Sequence, residues 1–177
     1  KADYPERKLT LVNTCSIAMG EGLLVYHALR MHKEGKSDEE IIDWIEKNKM
    51  RMNHWFCVDD LVYLKRGGRI TSTAQFFGTI MEIKPVLTMN REGLVTVDHK
   101  EKGRKKSLKA LVDAFEQNVE DPENQVVCVC HADALEDAEY VAAAIQEKHK
   151  IKELLFQYVG PVIGSHAGPG TVGLLFL

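Results

Sequence analysis

Short apolar runs alternate along this chain with segments of helical periodicity. The apolar run at 126–130 has the length of a buried strand, and the segment after it repeats apolar residues at helical spacing. One predicted antiparallel hairpin, 83–89 and 94–97 around the turn at 90–93, interrupts the alternation. This arrangement is typical of α/β proteins, so the sequence predicts an α/β fold with a mixed sheet.

Start and stop motifs locate several further elements. The apolar run at 9–12 predicts a strand, and the helix after it begins around Gly20-x-Gly22. The sequence from Ser37 to Glu40 has the form of a capping box, which predicts a second helix. A similar pattern from Asp133 to Glu136 predicts another helix start.

The end of the chain is predicted to contain two strands and a loop. The first strand covers 156–159, and the second closes the chain at its last residues. Between them, 160–170 is rich in glycine and proline and is predicted to be a loop.

Composition excludes several classes of protein. A chain of 177 residues with 45% hydrophobic and 28% charged residues can bury a core and is not of disordered composition. The formal charge of -3 provides no general attraction to nucleic acid. Since no apolar run reaches the roughly 20 residues of a membrane helix and no signal-peptide pattern opens the chain, we expect a cytoplasmic protein without a membrane span. The first residue is Lys1, which suggests a fragment of a longer protein.

The predicted loop at 160–170 is the strongest candidate site. Its glycines allow a close approach of the backbone to a ligand, and Ser165 and His166 add a hydroxyl and an imidazole that can bind an anion such as a carboxylate or a phosphate. The alternative is a tight turn with His166 in solvent.

Basic residues form two further candidates. Arg69 follows the Gly67-Gly68 pair at the predicted end of a short helix, where its guanidinium could bind a phosphate or an acidic partner. A second cluster stands at the predicted start of a helix, where cations oppose the helix dipole, and we expect a partner or ligand for some of them. This cluster comprises Lys100, Lys102, Arg104, Lys105 and Lys106.

Other patterns favour structural interpretations. Gly20-x-Gly22 lacks the third glycine of a dinucleotide-binding turn, and Cys128-x-Cys130-His131 lacks a second pair of zinc ligands, so we expect a helix start and buried cysteines, with no metal site. The motifs of nucleophilic, phosphate-loop and zinc-dependent enzymes are absent, and no catalytic residue is assigned.

Three segments together resemble the DegV family of bacterial fatty-acid-binding proteins. They are Asn13-Thr14 with 20–25, the pattern from Leu61 to Ile70 around Gly67-Gly68-Arg69, and the pattern from Ile163 to Gly170 around His166. The resemblance implies two α/β domains, with 1–49 as the C-terminal part of the first and 50–177 as the second. It also implies that the missing N-terminal half completes the protein.

The resemblance further implies a carrier of a long-chain fatty acid such as palmitate, without a cofactor, that presents the carboxylate to a separate fatty acid kinase and is not itself an enzyme. It implies that His166, with Ser165 and Gly168, binds the carboxylate, and that Arg69 and Arg104 contact the kinase or handle phosphate. The apolar tunnel is predicted to include Phe76, Phe77, Ile80 and Leu87.

Two alternatives remain open. An enzyme acting on a phosphorylated small molecule would use the His166 loop to bind phosphate, with help from Arg69, in a compact polar pocket. A structural interaction domain would use the glycines only to shape turns.

Overall fold

The structure, a computed structural model, describes residues 3–70 and 83–177. Six strands in these residues form one mixed sheet: β1 (Asn53–Cys57), β2 (Ile83–Met89), β3 (Val95–Lys102), β4 (Val126–Ala132), β5 (Glu153–Tyr158) and β6 (Thr171–Phe176). Their order in the sheet is β3-β2-β1-β6-β4-β5. The β4 and β5 strands are parallel, and the other neighbouring pairs are antiparallel.

The same described residues contain six α-helices: α1 (Ala18–Lys33), α2 (Asp38–Asn48), α3 (Val62–Arg66), α4 (Arg104–Asn118), α5 (Leu135–Lys148) and α6 (Pro161–Ala167). The α4 and α5 helices pack on one face of the sheet, and α1 packs on the opposite face with α2 against it. The α3 and α6 helices contact each other on the α1 side. The prediction of an α/β fold with a mixed sheet is confirmed.

The alternating side chains of β6 show how the two layers are built. Val172, Leu174 and Phe176 belong to the main core under α4 and α5. Leu175 points to the other face and packs with Leu23 of α1 in a second core cluster. Successive strand residues face opposite sides of a sheet, so Thr171 and Gly173 share the face of Leu175.

Local sequence explains the elements that were predicted well. The Ser37 hydroxyl accepts from the Glu40 amide, and the Glu40 carboxylate accepts from the Ser37 amide, so α2 begins with a complete capping box. The hairpin of β2 and β3 is present, with Asn90 and Gly93 in its turn. The β3 strand continues to Lys102, so Lys100 and Lys102 lie in a strand and only Arg104 and its successors begin α4.

The strand predicted at 9–12 is absent. This segment makes no ladder with the described strands, and Leu11 is 96% exposed. A strand requires a neighbouring strand to satisfy its backbone groups, and none of the described strands pairs with 9–12.

The predicted loop at 160–170 contains the helix α6. Pro161 occupies the first helical turn, where its missing N–H costs no hydrogen bond, and Gly160 is the N-cap. Gly168, with φ of 81°, ends the helix. The glycines and proline that predicted a loop thus mark the two ends of a short helix.

The capping box predicted from Asp133 is also wrong, although the helix that follows is present. Asp133 adopts a left-handed φ of 50° and stands outside the helix, whose N-cap is Ala134. With Ala134 as the N-cap, the third helical residue is Asp137, so the pair Asp133 and Glu136 lies one residue before the two positions of a capping box.

Candidate functional site

A cavity of about 360 Å³ lies on the α1 side of the sheet, between the sheet, α6 and the β2–β3 turn. Most of the residues that line it are apolar. They include Ile17, Leu94, Val159, Val162, Ile163 and Leu175. Arg69 and His166 are also lining residues, so the cavity combines a mostly apolar lining with two residue types that can bind an anion.

The floor of the cavity is formed by three neighbouring strands. Gly173 of β6 lies between Phe56 of β1 and Cys130 of β4, which are its register partners. A Cβ atom at Gly173 would lie 2.9 Å from the Cys130 Sγ atom, closer than such atoms pack. The lack of a side chain at Gly173 therefore leaves open the middle of the floor.

At one end of the cavity, Gly67 brings His166 and Arg69 together. A Cβ atom at Gly67 would lie 2.1 Å from His166 Nδ1, so the imidazole rests directly against the glycine backbone. The Arg69 Nη1 atom donates to the Gly67 carbonyl oxygen at 2.6 Å. Among the described residues, no side chain or backbone group makes a hydrogen bond to the His166 ring. The His166 imidazole and the Arg69 guanidinium thus both contact Gly67.

Ser165 and Gly168, the other predicted carboxylate ligands, do not line the cavity. The Ser165 hydroxyl donates to the Val162 carbonyl oxygen at 2.8 Å within α6. The Gly168 carbonyl oxygen accepts from the Thr171 hydroxyl at 2.8 Å, which ties the end of α6 to the start of β6. Both residues therefore shape the helix that carries His166, and their contact with a ligand stays a prediction.

Arg104 occupies a different environment from Arg69. Its side chain is 19% exposed, and its Nε atom donates to Asp137 at 2.7 Å. The Nη2 atom donates to the Gly170 carbonyl oxygen at 2.6 Å, so Arg104 holds the chain just after α6. Arg104 does not line the cavity, whereas Arg69 does. A role for either arginine in contacting a kinase stays a prediction.

The predicted tunnel residues are only partly described. Phe76, Phe77 and Ile80 lie outside the described residues. Leu87 is fully buried and packs in one cluster with Leu64 and Ala167. Leu64 and Ala167 line the cavity and Leu87 does not, so Leu87 belongs to the layer that supports the cavity wall.

His54 is a cavity residue that the sequence did not single out. It is 5% exposed, its Nδ1 atom donates to the Met52 carbonyl oxygen at 3.1 Å, and its Nε2 atom accepts from the Ser16 hydroxyl at 2.6 Å. Burial lowers the pKa of His54 to about 4, so the ring is neutral near pH 7. The local sequence around His54 does not indicate that it lines a cavity. The contact that holds its ring comes from Ser16, which lies 38 residues earlier in the chain.

The cysteines of β4 are buried, as predicted. Cys128 and Cys130 share one face of the strand, and burial raises the pKa of both thiols, that of Cys130 to about 12. Such thiols are protonated and unreactive at neutral pH.

Within residues 3–70 and 83–177, no group of three or more His, Cys, Asp or Glu side chains is arranged to hold a metal ion. In the same residues, no helix is long and apolar enough to cross a membrane.

An apolar cavity with a few polar groups in its lining is the usual form of a small-molecule binding site. Residues 1–177 match the model of a protein family that is described as "Uncharacterised protein, DegV family". The chain belongs to the DegV family. It is 47% identical over 174 residues to a DegV domain-containing protein of Clostridium perfringens, covering 98% of this chain and 60% of that protein. A Streptococcus pyogenes relative is 32% identical over 177 residues, with 61% of its length covered.

Solved structures of the family share the fold. A DegV family protein from Thermus thermophilus, described by its fatty acid binding, aligns with a TM-score of 0.89 and 30% identity, covering 99% of this chain and 62% of that one. A fatty acid binding DegV family protein from Streptococcus agalactiae aligns with a TM-score of 0.86 and 27% identity over the same shares of the two chains. This chain therefore spans about 60% of the length of the relatives that it matches.

Proposed function

We propose that this protein binds a long-chain fatty acid such as palmitate in the 360 Å³ cavity, with the carboxylate between His166 and Arg69. The observation that carries the proposal is the pairing of a mostly apolar cavity with an imidazole and a guanidinium held together at Gly67. The fatty acid binding of the Thermus thermophilus and Streptococcus agalactiae relatives supports it.

The apolar lining accounts for affinity toward an acyl chain. Each buried methylene contributes about 0.8 kcal/mol, so a long chain gains several kcal/mol by leaving water. Leu94 and Val162 are exposed by 62% and 71% although they line the cavity, so an acyl chain would cover them as it enters. Binding of a long chain would thus remove apolar surface from water on both the ligand and the protein.

The anion-binding end accounts for selection of acids. A carboxylate that enters an apolar cavity needs hydrogen bonds or an opposite charge, because its desolvation is otherwise prohibitive. Arg69 provides a permanent positive charge, and His166 provides a ring whose nitrogens make no hydrogen bond within the described part of the chain. Direct contacts from Ser165 and Gly168 would add to this site and form part of the proposal.

Presentation of the carboxylate to a separate fatty acid kinase is the finer part of the proposal. Arg69 lies at the anion-binding end and is exposed, so it is the arginine placed to meet a partner's phosphate as well as the ligand. Arg104 would act by holding the segment after α6 through its bond to Gly170. A Streptococcus pneumoniae protein named as fatty acid kinase B3 shares the fold, with a TM-score of 0.89 at 17% identity.

The apolar lining favours this carrier over an enzyme that acts on a phosphorylated small molecule. Such an enzyme would need a compact polar pocket around His166, whereas the floor beyond it is made of Phe56, Gly173 and Leu175. We therefore propose a binding protein and assign no catalytic residue.

Replacement of His166 tests the proposed function. We expect His166→Ala to weaken binding of palmitate by about tenfold, because a hydrogen bond to a charged group contributes roughly 1.5–3 kcal/mol. The measurement is a titration of the delipidated protein followed by calorimetry or tryptophan fluorescence. His99→Ala is the matched control, since His99 is a partly exposed histidine of β3 outside the cavity. Equal palmitate affinity in His166→Ala and the wild type would refute the assignment of the carboxylate site.

A further inference from the structure

A second, smaller cavity of about 70 Å³ lies beside the main one. Its lining combines apolar and polar residues: Cys15, Met50, Met52, Met89, Lys49, Asn90 and Arg91. His54 is the residue that contributes to the lining of both cavities. Its imidazole therefore stands as a partition between the two spaces.

Three contacts hold this partition in place. Both ring nitrogens are engaged, Nδ1 with the Met52 carbonyl oxygen and Nε2 with the Ser16 hydroxyl. Gly20 in the first turn of α1 presses against the ring edge, since a Cβ atom there would lie 2.2 Å from Nε2. The ring thus has little freedom to turn aside when a ligand arrives.

His54 lies at the opposite end of the cavity floor from His166. The floor follows β6 from Thr171, whose hydroxyl bonds to Gly168 near His166, to Leu175, which is paired with His54. Thr171 and Leu175 are four positions apart along the strand, which corresponds to about 13 Å. A ligand with its carboxylate at His166 would extend along Gly173 toward His54.

We propose that His54 sets the longest acyl chain that the cavity accepts, by separating the main cavity from the space beyond it. This inference rests on the proposed function. An acid that fits would end its chain at the imidazole, and a longer acid would have to leave methylenes outside the cavity. His54 is then a specificity-determining residue for chain length.

The second cavity has a mixed lining. Met50, Met52 and Met89 are flexible thioethers that adapt to irregular apolar shapes, whereas Lys49, Asn90 and Arg91 are polar. Methylenes that pass His54 would contact the three methionines. The 70 Å³ of the second cavity would add about a fifth to the 360 Å³ of the main cavity. Shortening His54 joins the two volumes and lengthens the path for an acyl chain.

The test compares the affinities of the purified protein for laurate, palmitate and arachidate in the wild type and three variants of His54. His54→Ala removes the partition, and we expect it to raise the ratio of arachidate to palmitate affinity by about tenfold, since each newly buried methylene contributes about fourfold. His54→Phe retains a ring of similar size and should keep the wild-type ratio. His54→Asn opens the partition in part while keeping an amide that can bond to Ser16, so it provides a second opening if the alanine variant does not fold.

The outcomes separate the two proposals. An unchanged ratio in both shortened variants, or an equal shift in His54→Phe, would overturn the role of His54 while leaving fatty acid binding intact. If no fatty acid binds to the folded wild type, the proposed function itself fails, and with it the role of His54.

Discussion

At the scale of single residues, the site depends on glycines that let other groups approach. Gly67 is the clearest case, because the His166 ring lies where a side chain at this position would be and Arg69 bonds to the same residue's carbonyl oxygen. The backbone of Gly67 has a φ of -74°, which any residue can adopt. Its role is therefore the space that it leaves for the imidazole.

The first prediction at this scale concerns Gly67→Ala. The new methyl group would displace the His166 ring, and we expect palmitate to bind about tenfold more weakly, as with loss of the imidazole. The measurement is the dissociation constant for palmitate. Gly164→Ala is the control, since it places a methyl group on α6 with no atom within 4 Å and suits a helix better than glycine. Tight binding by Gly67→Ala and weak binding by Gly164→Ala would contradict the assigned positions.

At the residue scale, the sequence draws attention to a side chain that differs from its neighbours. His166 is an imidazole among small residues, and the structure places it in the lining of the apolar cavity, while its contact with a ligand stays a prediction. The roles of Gly67 and His54 depend on contacts with residues distant in the sequence, His166 and Ser16. No local pattern contains that information, because the contacts arise only when the strands assemble.

At the scale of elements, β6 is the strand that shapes the cavity. One face of β6 fills the main core and the other supplies Thr171, Gly173 and Leu175 to the cavity floor. The strand is held on both sides by antiparallel neighbours, β1 and β4, so its register is strongly fixed. The open space over Gly173 is therefore a property of the sheet and does not depend on a mobile loop.

We predict that Gly173→Ala weakens palmitate binding by several-fold, because a methyl group in the floor occupies the path of the acyl chain. The same methyl group would lie 2.9 Å from the Cys130 Sγ atom. The double variant Gly173→Ala with Cys130→Ala removes that sulfur atom and should recover part of the affinity. The measurement is again titration with palmitate, with the midpoint of urea unfolding as a check on folding. Equal affinities in all three proteins would show that the chain does not pass over Gly173.

Elements were predicted from sequence where local chemistry alone determines them. The capping box at Ser37 defines the start of α2, and hydrophobic periodicity defines α4. The apolar run at 9–12 was misassigned because strand formation requires a partner that the run itself does not specify. The α6 helix was missed because glycine and proline favour both turns and helix ends, and only the positions of Pro161 and Gly168 distinguish the two.

At the scale of the whole molecule, the two faces of the sheet are covered differently. The α4 and α5 helices cover the largest cluster of buried apolar residues in the described part of the chain, with large side chains such as Phe115 and Phe176. The other face is divided between the core under α1 and the cavity beside α6. A stable layer on one face supports a space on the other, which an acyl chain would fill.

The fold class and the family resemblance were accessible from the whole sequence, since they depend on the order of elements and on motifs spread from Asn13 to Gly170. The cavity was not, because its shape depends on how Gly173, Phe56 and Cys130 meet across three strands. The predicted tunnel residue Leu87 illustrates the difference: it is buried, as its apolar character requires, but in the layer behind the cavity wall.

Fatty acid binding is tested most directly by native mass spectrometry of the protein purified from bacterial cells without detergent, followed by solvent extraction and identification of the bound lipid. We predict a long-chain fatty acid at one molecule per chain, released on denaturation and regained when palmitate is added to the delipidated protein. A folded protein that carries no fatty acid and does not bind added palmitate would contradict the proposal.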